Sequence, residues 1–255
     1  MNISLIDQIA VISGGSRGIG AATVKLFAAA GGNVIFSYRR DAKSAKEVVQ
    51  ACRALPGTVT AVRTDVSKMA DARKLIAAAI RRFGQLDILV ANAGIWNVDP
   101  LPIGKMSERQ WDDMVDVNLK GAYSVTHYAV PHMMARKKGR IILVSSTAGQ
   151  RGEAFHTHYG AAKGGVISLV KGLSAELAPH KVLVNAVAPG WVDTDMAAPV
   201  FRKSAEARKI FQQIPLHRLA RPDEIAMPIL FLASEMSTYL TGEIININGG
   251  SVLCG

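Results

Sequence analysis

A phenol, a primary amine and a hydroxyl fall within one short stretch of the chain: Tyr159, Lys163 and Ser146 in STAGQRGEAFHTHYGAAK, residues 146–163. A free tyrosine titrates near ~10 and is a poor proton donor or acceptor at neutral pH. If the small-residue run Gly160 to Val166 is helical, positions 159 and 163 lie one turn apart on the same face. An ammonium held there favours the phenolate and is expected to bring the phenol toward the working range. Ser146 closes the apolar run IILVSS, where its hydroxyl can meet a substrate oxygen as charge builds on that atom. A Tyr-x-x-x-Lys pair alone equally describes a solvated helix face, so the surrounding elements must decide.

Those elements begin with Gln8–Ile12, a short apolar run of the kind buried in parallel sheets. Ser13 to Gly20 follows, with Gly14, Gly18 and Gly20 spaced Gly-x-x-x-Gly-x-Gly, and helical composition resumes at Ala21–Ala30. In a strand-to-helix turn the amides around Ser16, Arg17, Gly18, Ile19 and Gly20 can point at a phosphate. The spacing differs from Gly-x-Gly-x-x-Gly and from the phosphate loop that ends in Gly-Lys-Ser/Thr. The second strand, Asn33–Ser37, ends in Tyr38, Arg39 and Arg40; Asp41 lies beyond the tip. An acid there would bind ribose hydroxyls, whereas arginine meets a 2′-phosphate. Arg17 and Arg39 can fork onto that phosphate, so NADP is favoured over NAD, unless both are simply solvent-exposed loop charges.

A helix is expected over Lys43–Ala54, then a strand over Val59–Arg63 that runs into Thr64, Asp65 and Val66. Asp65 can accept from an adenine amino group; Asp65 or Ser67 can also cap the helix Lys68–Phe83. The strand Leu86–Val90 leads into Ala91, Asn92, Ala93 and Gly94, small residues that leave room for a ligand at a strand's carboxyl end. The span Trp111–Arg136 reads as mostly helical. Asn118 within it needs a partner, a kink or a bound water. A strand over Arg140–Ser145 delivers Ser146. Another, Lys181–Ala188, ends at Pro189, Gly190, Trp191, Val192, Asp193 and Thr194. Asp195–Leu219 has no firm pattern and reads as a mobile lid over substrate. Arg221, Pro222, Asp223 and Glu224 start a helix. The last strand is Glu243–Asn248, followed by Gly249 and Gly250.

Seven short strands alternating with helices call for an α/β fold: a Rossmann-like, doubly wound parallel sheet with helices on both faces. The phosphate turn and the reactive groups all follow strand ends, as one crevice requires. The chain has 255 residues, 49% of them hydrophobic, and no linker, so a single domain over 1–255 is expected. Cys52 and Cys254 match no metal-ligand spacing, and a reducing compartment fits. There is no basic and apolar leader pattern and no apolar run near the ~18 residues of a membrane span, so a soluble cytoplasmic protein without a membrane role is expected. The net charge of +10 admits nucleic acid, a membrane surface or an acidic partner. No zinc-finger spacing, RNA-binding aromatic signature or long basic tail accompanies it, so nucleic acid is not expected. A solvated basic face accounts for most of the charge, with one cluster at Arg136, Lys137, Lys138 and Arg140.

In order and spacing, the turn Ser13–Gly20, Asn92-Ala93-Gly94, Asn118, Ser146, Tyr159, Lys163 and Pro189-Gly190 through Thr194 resemble the short-chain dehydrogenase/reductase family over nearly the whole chain. Ser13 stands where threonine is commoner, and Ala91 where a second asparagine is frequent; both departures are mild. The resemblance implies strand order 3-2-1-4-5-6-7 and a catalytic tetrad of Asn118, Ser146, Tyr159 and Lys163. Tyr159 is then the general acid and Ser146 holds the carbonyl. Lys163 binds the nicotinamide ribose and tunes Tyr159; Asn118 holds a water that leads to solvent. No metal is implied. The C-terminal half, with Ala186–Gly190, Arg218–Ile225 and Thr241–Gly250, is similar to 3-oxoacyl-acyl-carrier-protein reductases, which are usually tetramers. That similarity implies an acidic carrier partner, met by Arg136, Lys137, Lys138 and His180. Sugar and other alcohol dehydrogenases of the family share that half.

Overall fold

The computed structural model describes residues 3–202 and 204–253; Cys254 lies outside them. Seven strands form one parallel sheet in the order β3-β2-β1-β4-β5-β6-β7: β1 (Ile9–Ser13), β2 (Asn33–Tyr38), β3 (Val59–Arg63), β4 (Ile88–Ala91), β5 (Gly139–Val144), β6 (Val182–Pro189) and β7 (Ile244–Ile247). The chain order reverses between β1 and β4, which are adjacent with Val11 opposite Leu89. That reversal opens a crevice at the strands' carboxyl ends.

The sheet has a core on each face, because alternate side chains along a strand point opposite ways. Ala10, Ile12, Val34 and Phe36 pack to one side with Val24 and Phe27 of α1 (Gly18–Ala29), Val48 of α2 (Ala42–Ala51) and Ile225 and Ile229 of the helix Pro222–Ala233. Ile9, Val11, Ile35 and Leu89 pack to the other, against Leu75 of α3 (Met69–Phe83), Val125 and Met133 of a helix over Gly121–Arg136, and Val166 and Val170 of one over Thr157–Leu177. Each such large side chain contributes roughly 1.5–3 kcal/mol on burial. The sheet is therefore a rigid platform for whatever its upper edge carries.

The span expected as one helix over Trp111–Arg136 divides. Helix α4 (Glu108–Val115) starts on a capping box between Ser107 and Gln110, a π-helical turn occupies Asp116–Lys120, and α5 (Gly121–Arg136) follows. The wide turn surrounds Asn118, so the kink resolves that buried amide. Beyond β5, α6 (Thr147–Arg151) and α7 (Thr157–Leu177) carry the Ser146–Lys163 stretch.

The segment expected as an unpatterned lid, Asp195–Leu219, contains two helices, α8 (Ala198–Phe201) and α9 (Ser204–Gln213), before α10 (Pro222–Ala233). Buried Val200, Ala207 and Ile214 anchor it. Helix α1 begins at Gly18 rather than Ala21, and β4 at Ile88 rather than Leu86. Asp87, expected inside that strand, is instead a buried carboxylate that accepts from Ile9 N at 2.9 Å.

The basic cluster departs from the expected solvated face. Arg136 Nη1 lies 2.9 Å from Asp87 and Lys138 Nζ 3.8 Å from it, while Arg140 pairs with Glu235 at 3.2 Å. A buried carboxylate recruits its counter-charges. Lys137 between them is exposed.

Candidate active site

Every candidate catalytic and cofactor-binding residue named from the sequence, from Gly14 and Ser16 to Thr194, lines one cleft of about 780 Å³ at the carboxyl edge of the sheet. Its floor is tied down by Ser13, whose hydroxyl accepts from the amides of Asn92 and Ala93, each at 3.0 Å. The Asn92 side chain returns the tie by donating to the carbonyls of Ser13 and Gly14 at 3.1 and 3.0 Å. Gly14 has φ +70°, and a Cβ there would stand 2.8 Å from Ala93 Cα. Only glycine allows β1 and β4 to close this near the phosphate turn.

Arg17 is the extended N-cap of α1 and makes no side-chain cap. The first amides of a helix lack intrahelical acceptors, so the turn presents a donor set suited to a phosphate. At the same end, Arg39 and Arg40 line the cleft with Arg17. Asp41 also lines the cleft and accepts from Ser44 N at 2.9 Å and Ser44 Oγ at 2.7 Å. Those hydrogen bonds hold its carboxyl below the usual range. Arg39 Nε sits 3.5 Å from Asp65 Oδ2. Asp65 also accepts from Ser67 N and Oγ at 3.2 and 2.7 Å. The N-cap of α3 is Lys68, so neither Asp65 nor Ser67 fills that position. Asp65 shapes the turn just before it.

At the other end, Ser146 is the N-cap of α6, and its Oγ accepts from Ala148 N at 3.1 Å. Tyr159, in the first turn of α7, lines the same end of the cleft as that hydroxyl. Lys163 lies one turn on, almost fully buried, its Nζ 5.8 Å from the Tyr159 ring centre and donating to Val144 O at 2.9 Å. The three groups thus converge.

The phenol's titration does not follow the sequence expectation. Burial pushes Tyr159 up to about 12, the Ser146 hydrogen bond pulls it partway back, and the nearby Glu153 carboxylate raises it further. Burial also brings Lys163 down to about 8. Desolvation dominates at both groups, because each loses water that favoured its charged form.

Asn118 sits against the backbone at residue 95. Its Nδ2 donates to Ile95 O and Met114 O, both at 3.0 Å, and its Oδ1 accepts from Ile95 N at 3.2 Å. A Cβ at Gly94 would lie 2.7 Å from that oxygen and 3.5 Å from Lys163 Nζ. Gly94 is the close approach that lets asparagine and lysine flank one backbone.

Sequence reasoning missed the side wall. Trp96 stacks on His156 with centroids 4.9 Å apart, Trp191 meets Trp96 edge-on at 5.7 Å, and Phe201 of α8 packs on Trp191 at 5.4 Å. Glu153 lines the cleft beside them with its carboxyl raised by burial. The aromatics come from three separated segments, so no spacing in the sequence joins them. Trp191 alone carried a signal, since it follows a strand's carboxyl end. Among the described residues, no group of three His, Cys, Asp or Glu is placed to hold a metal, and no helix is long and apolar enough to cross a membrane.

These residues fit a dinucleotide: a glycine-relieved turn of free amides, arginines at one end, and a proton-bearing cluster at the other. Comparison with known proteins agrees with that geometry. The sequence profile described as Enoyl-(Acyl carrier protein) reductase matches residues 14–251. A 3-oxoacyl-(acyl-carrier-protein) reductase of Thermotoga maritima is 38% identical over 249 residues, which span 98% of this chain and 99% of that one. Its counterpart in Synechocystis sp. is 38% identical over 251 residues, again 98% and 99%. Levodione reductase superposes with a TM-score of 0.92 at 27% identity, over 96% of this chain and 97% of that one. A short-chain type dehydrogenase/reductase from Mycobacterium marinum gives 0.91 at 30% identity, over 98% of each.

Proposed function

The chain belongs to the short-chain dehydrogenase/reductase family, and from that membership we propose that it reduces the 3-oxo group of an acyl thioester, on acyl-carrier protein or coenzyme A, with NADPH. The observation that carries this reading is the convergence of Ser146, Tyr159 and Lys163 on one end of the cleft, with Lys163 Nζ 5.8 Å from the Tyr159 ring centre. Two hydroxyls lining the same end can hold one substrate oxygen between them. The nicotinamide, when bound, supplies the hydride.

The chain's own residues do the rest. Ser146 donates to the carbonyl oxygen, and Tyr159 delivers its proton to that oxygen as charge accumulates there. Burial keeps the phenol protonated at neutral pH and makes it a weak acid, so its proton moves only as negative charge builds on the substrate oxygen. Lys163 holds the nicotinamide ribose and tunes Tyr159, and Asn118 with the Ile95 backbone positions Lys163 and a water that passes protons from solvent. The glycine turn with Ser16, Arg17 and Ile19 takes the pyrophosphate, Asp65 and Val66 the adenine, Asn92 to Gly94 the ribose, and Pro189, Gly190, Val192 and Thr194 the nicotinamide. Arg17 and Arg39 meet the 2′-phosphate, because the acid at that end, Asp41, lies beyond the tip of β2 and is engaged by Ser44. NADPH is therefore the expected reductant.

The matching profile's description concerns a carbon–carbon double bond. The 3-oxo reading is supported instead by the relatives named above, which are 3-oxoacyl reductases over nearly the full length of this chain. The remaining assignments rest on the family: one cytoplasmic domain over 1–255, a homotetramer, and Asp195–Leu219 closing over substrate. An acidic carrier is met by Arg136, Lys137, Lys138 and His180, of which Lys137 and Lys138 are exposed and Arg136 is paired with Asp87.

Initial rates with acetoacetyl, crotonyl and cyclic-ketone substrates, each with NADPH and NADH, test the reading. Fastest turnover is expected for NADPH with the acetoacetyl thioester. Preference for the crotonyl thioester or the cyclic ketone would replace the substrate, and preference for NADH the cofactor.

A further inference from the structure

Glu153 stands in the link between α6 and α7, and the role proposed above does not use it. Its carboxylate lines the cleft, hydrogen-bonds Trp96 and lies 3.6 Å from His156 Nδ1. His156 is itself buried and stacked on Trp96, so the acid is held in place from two sides. Such fixing is unusual for a chance surface carboxylate.

The charged and titratable groups beside it are Arg151 from α6, His156 from the same link and Tyr159 from α7, and Lys163 of α7 lines the same cleft. Arg109 and Asp113 of α4 line the cleft farther along. Arg151 and His156 favour the ionised carboxylate, whereas burial opposes it. Glu153 lies beside the phenol: it shares the cleft wall with Tyr159, its backbone N stands 3.3 Å from where a Cβ on Gly160 would be, and its carboxylate raises the phenol. The substrate carbonyl must reach the same phenol. In a free 3-oxo acid the carboxylate is only two bonds from that carbonyl carbon; in a thioester or ester the same position is neutral.

We propose that Glu153 is a specificity-determining residue that admits neutral 3-oxo thioesters and esters to the cleft and rejects free 3-oxo acids. This rests on the 3-oxo reductase reading above and sharpens its substrate class. Like charges at close range in a partly dry cleft cost most where water cannot screen them.

The test compares ethyl acetoacetate with acetoacetate, which share the carbonyl and differ in charge, using the full chain and NADPH. The parent is expected to show a kcat/KM ratio favouring the ester by at least about tenfold, equivalent to about 1.4 kcal/mol. Glu153→Gln, which keeps the shape and the acceptor for Trp96, should lower that ratio by about tenfold; Glu153→Asp should keep most of it. A ratio unchanged in Glu153→Gln, or a parent that reduces both equally, overturns the assignment. A merely structural role would slow both substrates together and leave the ratio alone.

If the parent reduces neither compound, the 3-oxo reductase reading fails, and the ultraviolet titration of the Tyr159 phenol decides on Glu153. Taken as the difference between each protein and its Tyr159→Phe counterpart, that titration should move down in Glu153→Gln. No movement there overturns the claim that this carboxylate's charge reaches the reacting oxygen.

Discussion

Asn118 and Ile95 exchange two hydrogen bonds, Ile95 N to Asn118 Oδ1 at 3.2 Å and Asn118 Nδ2 to Ile95 O at 3.0 Å, which fasten the π-helical turn to the loop after β4. Removing the amide in Asn118→Ala leaves both backbone groups of residue 95 unpaired. A loss of about 1–3 kcal/mol in folding stability is expected, with kcat/KM down at least about tenfold as the loop beside Lys163 loosens. Urea midpoints and steady-state rates measure the two; an unchanged midpoint would show that the tie is idle.

Gly94→Ala tests the same junction from the other side. Its new methyl carbon would lie 2.7 Å from Asn118 Oδ1, so the side chain or the loop must shift. Stability should fall by roughly 1–3 kcal/mol. Turnover should drop about tenfold or more, and full activity in this variant would mean that the close approach has no role.

Burial holds Lys163 at about 8 against 10.5 for a free lysine. Between those values the unfolded chain carries the proton that the folded chain has lost, so stability rises with pH across the window. Below pH 8 the penalty is complete, roughly 3 kcal/mol by linkage. Lys163→Met is therefore expected to be more stable than the parent at pH 7, by about 1–3 kcal/mol after its lost hydrogen bond to Val144 O is counted, and to be inactive. Thermal melts from pH 7 to 10.5 should show the two proteins converging. A Lys163→Met protein that melts lower at pH 7 would contradict the buried-charge account.

Arg39 offers its guanidinium at the tip of β2, 3.5 Å from Asp65. Arg39→Ala should raise KM for NADPH about tenfold while changing that for NADH less than about threefold, since only the former carries the 2′-phosphate. Equal effects on both cofactors would assign Arg39 to holding Asp65 instead.

Arg136→Ala leaves the buried Asp87 carboxylate with Lys138 at 3.8 Å as its counter-charge, besides hydrogen bonds from Ile9 N and Gln85 Nε2. Loss of about 2–3 kcal/mol is expected, below the range for fully buried pairs because Arg136 is partly exposed. Lys137→Glu should leave stability alone and weaken acyl-carrier binding, which isothermal titration can measure. The opposite pattern would return Arg136 to the surface role that its sequence context suggests.

Where local chemistry decided the structure, the sequence was legible. The apolar runs of β1 to β7, the glycines at 14, 18 and 20, and the strand-end positions of Asn92, Ser146 and Gly190 each follow from residues close in the chain. Positions set by distant partners were not. Asp87 reads as a strand residue until Arg136 and Ile9 are seen around it. The wall of Trp96, His156 and Trp191 is assembled from three segments. Helix α9 was hidden by a mixed, charged composition, and its anchors Ala207 and Ile214 are legible only once the core is known. The titration of Tyr159 failed for the same reason: the spacing to Lys163 could be read, but the dryness of the site could not.

The central claim is that Tyr159 gives its proton to a substrate oxygen also held by Ser146. Single-turnover reduction of an acetoacetyl thioester by NADPH, compared between the parent and Tyr159→Phe with the fold checked by circular dichroism, tests it most directly. A fall in rate of at least about 10²-fold is predicted; a folded phenylalanine variant that keeps a third or more of the rate would contradict the account.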